Sequence, residues 1–478
     1  MTETIRPLPQ VIQGGMGIAV SSWAMAQAVS RAGGLGVVSG TAIDTVIARR
    51  LQDGDTDGSI RRALKAFPDQ EFVAEALSRF LIEGGKKSDV PYLLLPKFSL
   101  HPTEFASKFL VAANFVEVWL AKEGHDGLIG INFLEKVQLA TPGSIYGALL
   151  AGVDYILMGA GIPSEIPRVI RELSRHEESK ISIDVENATT KYFLSFDPAL
   201  INGGAKALIN KPKFLAIISS HALAGYLNRD EEVRPDGFVV EGPSAGGHNA
   251  PPRGNTPVGE DGQSQFSPKD DADIAKVKAT GLPFWLAGGY STPAKLQEAI
   301  AAGAAGVQVG SIFALSFESG ITKALRSQIL AKIGDKTLNI VTDPYGSPTS
   351  FPFKYAELEE TISDSDEFSS RVKLCDLGYL RTVVERPGKR IAYRCSGEPD
   401  KTFHFKGGEA GATAEKKCLC NALMANIGMP QVRASGYVEH ALVTLGSDLS
   451  GEEALLAAYP NGWSADDAVR FLLVPDGS

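Results

Sequence analysis

The feature that most constrains the fold is a recurring unit in which a short apolar run, usually ending in glycine, precedes an amphipathic helical pattern. Continuous apolar runs of this length indicate strands buried on both faces, as in parallel sheets covered by helices. The eight runs are 10–17, 34–40, 128–133, 155–161, 214–219, 237–240, 284–289 and 306–310. Eight such units predict an α/β fold of the (β/α)8 barrel type rather than an open sheet.

The predicted barrel does not use the whole chain. We assign it to residues 1–335, with mostly helical insertions at about 42–124 and 185–212. A polar acidic run at 357–367 marks a change of character. Residues 336–478 are therefore predicted to form a smaller C-terminal region that caps or flanks the barrel.

Composition excludes several classes of protein. The 478 residues are 44% hydrophobic and carry a net charge of −9 without a basic stripe, which argues against a nucleic-acid partner. The N-terminus lacks the apolar core of a signal peptide, and no apolar run reaches membrane-spanning length. No membrane partner is therefore predicted. Four cysteines are too few for a disulfide scaffold in so long a chain, which predicts a cytoplasmic protein. The oligomeric state stays open, and a homo-oligomer is compatible with the sequence.

The sixth strand is followed by a glycine-rich turn and a histidine. Gly246 and Gly247 leave room for a ligand to approach the backbone, and His248 follows directly. Active-site residues of barrels lie at the carboxyl ends of strands, so His248 is a candidate catalytic base. The alternative is a flexible turn that carries a solvated histidine.

Other strand ends suggest where a phosphate and a planar ring would bind. The seventh and eighth strands end in Gly288-Gly289 and Gly310-Ser311, the positions at which barrels commonly bind phosphate. Tight turns are the alternative explanation. Gly15 and Met16 follow the first strand, where they suit either a flat ring or a turn with Met16 in the core. Asn132 is an amide within the third strand, and it suits either a flavin's pyrimidine edge or a backbone partner.

Four motifs together resemble the nitronate monooxygenase family, long called 2-nitropropane dioxygenases. The motifs are 13–17 (QGGMG), 245–248 (AGGH), 286–289 (LAGG) and 305–311 (AGVQVGS). The resemblance implies an FMN-dependent barrel. It implies that Gly288, Gly289, Gly310 and Ser311 hold the FMN phosphate, and that Gly15, Met16, Asn132, Gly246 and Gly247 line the flavin ring. His248 would be the catalytic base.

The family reaction converts a small-molecule nitronate and dioxygen to a carbonyl compound and nitrite, with FMN as the redox cofactor. The chain departs from the family where Ile312 follows Ser311, since an arginine is common there. Its insertions and C-terminal region also make it longer than a minimal member. Two alternatives stay open: an NAD(P)H-dependent flavin enoyl reductase of fatty-acid or polyketide type, and a flavin-binding assembly component without catalysis.

All four cysteines fall within the C-terminal region. They are Cys375, Cys395, Cys418 and Cys420. Four thiolates would suit zinc or an iron–sulfur cluster, although the spacing lacks the usual Cys-x-x-Cys pairs. The alternative is a set of buried thiols that act as small hydrophobic side chains.

Overall fold

The computed structural model describes residues 7–203, 207–253 and 258–474. The strands are β1 (Val11–Gln13), β2 (Gly36–Ser39), β3 (Ile129–Leu134), β4 (Tyr155–Gly159), β5 (Ser179–Ile183), β6 (Val185–Glu186), β7 (Tyr192–Phe196), β8 (Lys213–Ile218), β9 (Gly237–Glu241), β10 (Gly247–His248), β11 (Phe284–Ala287), β12 (Gly306–Val309), β13 (Ile340–Asp343), β14 (Phe353–Ala356), β15 (Thr382–Arg386) and β16 (Arg390–Arg394).

The α-helices are α1 (Trp23–Arg31), α2 (Ile43–Gln52), α3 (Ser59–Leu64), α4 (Gln70–Phe80), α5 (Glu104–Lys122), α6 (Thr141–Leu150), α7 (Ile166–Ser174), α8 (His221–Asn228), α9 (Ile274–Lys278), α10 (Pro293–Ala301), α11 (Ser311–Ala314), α12 (Lys323–Gly334), α13 (Ser365–Ser370), α14 (Asp400–Phe405), α15 (Leu419–Asn426), α16 (Ser450–Ala458) and α17 (Ala465–Leu473). Two short 3-10 helices lie at Gln138–Ala140 and Pro198–Leu200.

Eight parallel strands form a barrel in the order β1-β12-β11-β9-β8-β4-β3-β2. The first and last strands of this order meet through Leu35, which closes the ring. The Leu35 amide donates to the Val11 carbonyl at 2.9 Å, and the Gln13 amide donates to the Leu35 carbonyl at 3.0 Å. The eight strands coincide with the eight apolar runs of the sequence, so the predicted (β/α)8 barrel is confirmed.

The barrel interior is filled by apolar side chains. Its central cluster includes Ile12, Val37, Leu157, Leu215, Val239 and Trp285. Trp285 is fully buried, and its indole N–H donates to the Pro9 carbonyl at 2.7 Å. A ligand must therefore bind at the carboxyl-end rim, where the loops follow the strands.

The long segment between β2 and β3 carries helices α2 to α5, of which α5 runs for 19 residues. A second segment, between β4 and β8, contains an antiparallel hairpin of β5 and β7. No helix within the described residues is long and apolar enough to cross a membrane.

The C-terminal region is joined to the barrel rim by strand pairing. Strand β14 pairs antiparallel with β13 on one side and with β10 on the other. In the second pairing, Phe353 lies opposite His248 and Lys354 lies opposite Gly247. The division of the chain into units 1–335 and 336–478 stays a prediction, but the described C-terminal residues contact the barrel mouth directly.

Candidate active site

A cavity of about 250 Å³ lies at the carboxyl end of the barrel strands. Every residue that the sequence analysis selected for a cofactor borders it, and so does the candidate base. These residues are Gly15, Met16, Asn132, Gly246, Gly247, His248, Gly288, Gly289, Gly310 and Ser311. The fold therefore brings the ends of five barrel strands, β1, β3, β9, β11 and β12, to one place, while the individual roles of these residues stay predictions.

Position 15 must be glycine because its backbone lies close to the side chain of Asn132. A Cβ atom at Gly15 would lie 2.3 Å from Asn132 Cβ, so any side chain there would displace the amide. The absence of a side chain at Gly15 thus makes room for Asn132 at the cavity wall.

Several buried polar atoms at this cavity lack a hydrogen-bond partner within the described protein. Asn132 Oδ1, Gln308 Oε1 and Ser291 Oγ are three of them, and both carboxyl oxygens of Glu452 are two more. Buried polar groups in native proteins are nearly always satisfied by protein, water or ligand. Such atoms around a glycine-lined cavity fit a bound molecule rich in hydrogen-bonding groups, as a flavin with its ribityl phosphate is.

His248 sits at the edge of the cavity in strand β10. Its ring packs edge-on against Phe353, with ring centroids 4.8 Å apart. Its Nε2 lies 2.9 Å from Ser347 Oγ, and Ser347 Oγ lies 2.7 Å from Thr349 Oγ1. Loss of hydration lowers the pKa of His248 to about 4, so the imidazole is neutral at physiological pH and can accept a proton.

Glu241 ends strand β9 and borders the same cavity. Loss of hydration raises the pKa of this carboxyl to about 7. Among the described residues that line the cavity there is no lysine or arginine. An anionic phosphate here would have to be bound by backbone N–H groups, hydroxyls and neutral acids rather than by a cationic side chain.

A second cavity, of about 730 Å³, lies on the other side of His248 and Glu241, since both residues border both cavities. Its wall includes the apolar residues Ile162, Leu223 and Phe351. Ile162 is 55% exposed. The charged residues that line it are Glu135, Lys136, Glu165, Asp184 and Glu241. This arrangement provides a path by which a substrate could reach His248 from solvent.

The C-terminal region supplies a large part of the first cavity's wall, as its predicted capping position allows, but no sequence motif indicates which of its residues do so. Helix α15 contributes Leu419, Cys420 and Leu423, and the segment 444–452 closes the side near β11 and β12. The Gly446 amide donates to Ser311 Oγ at 2.8 Å. These contacts join residues far apart in the chain, so no local pattern could have revealed them.

Tyr379 is a further wall residue from the C-terminal region. Its hydroxyl lies 2.6 Å from Asp44 Oδ1 and 2.6 Å from Thr45 Oγ1 on helix α2. Burial raises the pKa of Asp44 to about 6, with the Tyr379 hydrogen bond opposing that rise. These hydrogen bonds from Tyr379 join the C-terminal region to helix α2 of the first insertion, beside the cavity.

The predicted zinc or iron–sulfur site is corrected by the structure. The described residues contain no group of three or more His, Cys, Asp or Glu side chains that could hold a metal ion. Cys375, Cys395, Cys418 and Cys420 are free thiols, and the last three are buried. Burial raises the pKa of Cys418 and of Cys420, whereas contact with the Cys395 side chain lowers the pKa of Cys375. The alternative of thiols acting as small hydrophobic side chains describes Cys420, which packs with Met424 and Tyr379.

Comparison with known proteins agrees with this geometry. The family model for nitronate monooxygenase matches residues 194–349, about a third of the chain, including strands β8 to β12 and His248. No curated protein matches the chain.

Three solved structures are among those similar to it. FabK from Thermotoga maritima is 17% identical with a TM-score of 0.46, covering 97% of this chain and 91% of that one. Nitroalkane oxidase from Streptomyces ansochromogenes is 14% identical with a TM-score of 0.42, covering 97% and 94%. The enoyl reductase domain of MlnA from Bacillus amyloliquefaciens is 12% identical with a TM-score of 0.44, covering 97% and 92%. Residues 194–349 of this chain match the nitronate monooxygenase family, and the chain is an oxidoreductase enzyme.

Proposed function

We propose that the protein is an FMN-dependent oxidoreductase that converts a nitroalkane or its nitronate, with dioxygen, to a carbonyl compound and nitrite. One observation carries the proposal: a neutral histidine stands between a glycine-lined cavity that fits a flavin and a second cavity that reaches solvent. The match to the nitronate monooxygenase family supports the same reaction.

The first cavity is where FMN would bind. Its phosphate would lie at the ends of β11 and β12, and its ring would lie near β1, β3 and β10. The phosphate residues would be Gly288, Gly289, Gly310 and Ser311, and the ring residues would be Gly15, Met16, Asn132, Gly246 and Gly247. When bound, FMN supplies the redox chemistry, while the protein binds and orients the reactants.

His248 would remove the α-proton of a neutral nitroalkane. A neutral imidazole has one unprotonated nitrogen that can accept that proton, and the low pKa keeps the ring unprotonated at neutral pH while making it a weaker base than an ordinary histidine. Ser347 and Phe353 hold the ring in place from the C-terminal region. A preformed nitronate has already lost the proton, so its oxidation would depend less on His248.

The test is anaerobic reduction of the FMN-loaded protein followed by admission of air. We expect a nitronate to bleach the flavin absorbance, and we expect nitrite to appear in proportion to oxygen consumed. A protein that binds FMN but is neither reduced by nitronates nor able to release nitrite would contradict the proposal.

A second candidate is an NAD(P)H-dependent enoyl reductase, and the size of the second cavity favours it. Its volume of about 730 Å³ is more than a small nitroalkane fills, and part of its wall is apolar, formed by Ile162, Leu223 and Phe351. The carboxylates Glu135, Glu165 and Asp184 line that cavity beside Lys136, and they would disfavour a polyanionic carrier. Reduction by NADH or NADPH, with consumption of an enoyl thioester, would select this activity. Indifference to both donors would select a non-catalytic flavin protein.

A further inference from the structure

Glu452 is a buried acid that the proposed chemistry does not use. Its exposed fraction is 0%, and neither of its carboxyl oxygens has a hydrogen-bond partner within the described protein. It borders the first cavity, at the start of helix α16. A carboxyl in such a position costs folding free energy unless a ligand or a bound proton satisfies it.

The surroundings of Glu452 place it at the end of the cavity assigned to the phosphate. A Cβ atom at the adjacent Gly451 would lie 2.3 Å from the Ser291 carbonyl oxygen, so α16 begins directly against the loop that follows β11. The nearby Gly446 amide reaches Ser311, at the end of β12. Ser291 Oγ is also buried and unpartnered, which makes it a second polar group without a partner at this end.

The charge environment favours the neutral acid. Loss of hydration raises the pKa of Glu452 to about 8, with Asp448 and Glu453 adding to the rise and the Glu452 backbone opposing it. Lys295, whose ammonium pairs with Glu298 on α10, lies within electrostatic range of Asp448. Glu452 therefore carries a proton at neutral pH, and a protonated carboxyl can donate a hydrogen bond.

We propose that Glu452 is a flavin-binding residue contributed by the C-terminal region, and that its protonated carboxyl donates a hydrogen bond to the phosphate of FMN. The inference rests on the proposed FMN site. It explains how a cavity without lysine or arginine among its described lining residues binds an anion. The first turn of α16, a helix of nine residues, adds a favourable dipole for the same anion. Ser291 Oγ would supply a second hydrogen bond.

The test measures flavin affinity of the apoprotein by quenching of flavin fluorescence, with FMN and riboflavin as probes. For Glu452→Ala at pH 7, we expect FMN binding to weaken roughly tenfold to hundredfold, as for loss of a hydrogen bond to a charged group. Riboflavin, which lacks the phosphate, should bind both proteins equally. Glu75→Ala is the control, because Glu75 is an exposed glutamate on helix α4 that does not line the cavity.

A second comparison uses Glu452→Gln, whose amide also donates and fills the same volume. Wild-type FMN affinity should fall about tenfold from pH 7 to pH 9 as the acid loses its proton, whereas the Gln variant should change little. This comparison decides the matter if the Ala variant fails to fold. Equal pH profiles for wild type and Glu452→Gln, or equal losses of FMN and riboflavin affinity, would overturn the phosphate assignment. A wild-type protein that binds neither flavin would instead refute the proposed function.

Discussion

At the scale of single residues, the local sequence identifies His248 but not the residues that surround it in the folded protein. The glycine pair and the strand before it lie next to the histidine, so the sequence alone selects it as the candidate base. Its hydrogen-bond partner Ser347 lies 99 residues further along the chain. The local sequence does not identify Glu452 either, because acidic residues are common in the first turn of a helix. Only the structure shows that this one is fully buried.

Replacing His248 with alanine tests its role directly. We expect kcat on a neutral nitroalkane to fall by roughly hundredfold or more, the usual contribution of a general base, while turnover of the preformed nitronate changes much less. Bound flavin, measured from the absorbance spectrum, should stay at the wild-type level because the imidazole is not needed to hold the phosphate. Full activity of the variant on nitroalkanes would remove His248 from the mechanism.

At the scale of elements, the apolar runs and their glycine ends predicted all eight barrel strands, since burial on both faces leaves a clear pattern. The pairing of β14 with β10 had no such signal. Strand β10 has only two residues, and its partner β14 lies in the C-terminal region, about a hundred residues further along the chain. Pairings between distant short strands depend on the assembled tertiary structure rather than on propensity.

Ser347, in the segment between β13 and β14, is predicted to position the imidazole of His248. Ser347→Ala removes the hydroxyl beside His248 Nε2 and should lower kcat roughly two- to tenfold, the worth of one hydrogen bond, with KM nearly unchanged. It should also move the acid limb of the pH profile, because the hydroxyl contacts the titrating ring. Ser369→Ala, at an exposed helical position, is the control. A change in KM alone would point to a packing defect instead.

At the scale of the whole molecule, several ionisable groups around the barrel mouth have lost much of their hydration, and their pKa shifts change stability in opposite directions as pH rises. Burial raises the pKa of Glu241 to about 7 and that of Glu452 to about 8, from an ordinary 4.5. It lowers the pKa of His248 from 6.5 to about 4 and that of Lys354 from 10.5 to about 8. A raised acid pKa adds stability that is complete below pH 4.5 and is lost as pH rises through the folded value.

The flavin-free protein should therefore lose stability between pH 6.5 and 8. His248 is neutral in the folded state throughout this window and mostly neutral in the unfolded chain above pH 7, and the Lys354 contribution rises only above about pH 8, so the acids dominate. Glu452 alone should account for on the order of 2 kcal/mol, at about 1.4 kcal/mol for each pH unit. Thermal unfolding of the apoprotein at pH 6.5, 7 and 8 measures the effect, and Glu452→Gln should flatten the curve. A melting temperature that rises over this range in the wild type would contradict the burial argument.

The pairing of His248 with Phe353 has a consequence for the order of events during synthesis. A ribosome makes the histidine about a hundred residues before the strand that fixes it, and the segment 444–452 later still. A growing chain with most of its barrel already outside the ribosome thus has neither a fixed base nor a complete binding cavity. If the first cavity binds FMN as proposed, activity would begin only after residues 444–452 have left the ribosome and docked against the barrel rim.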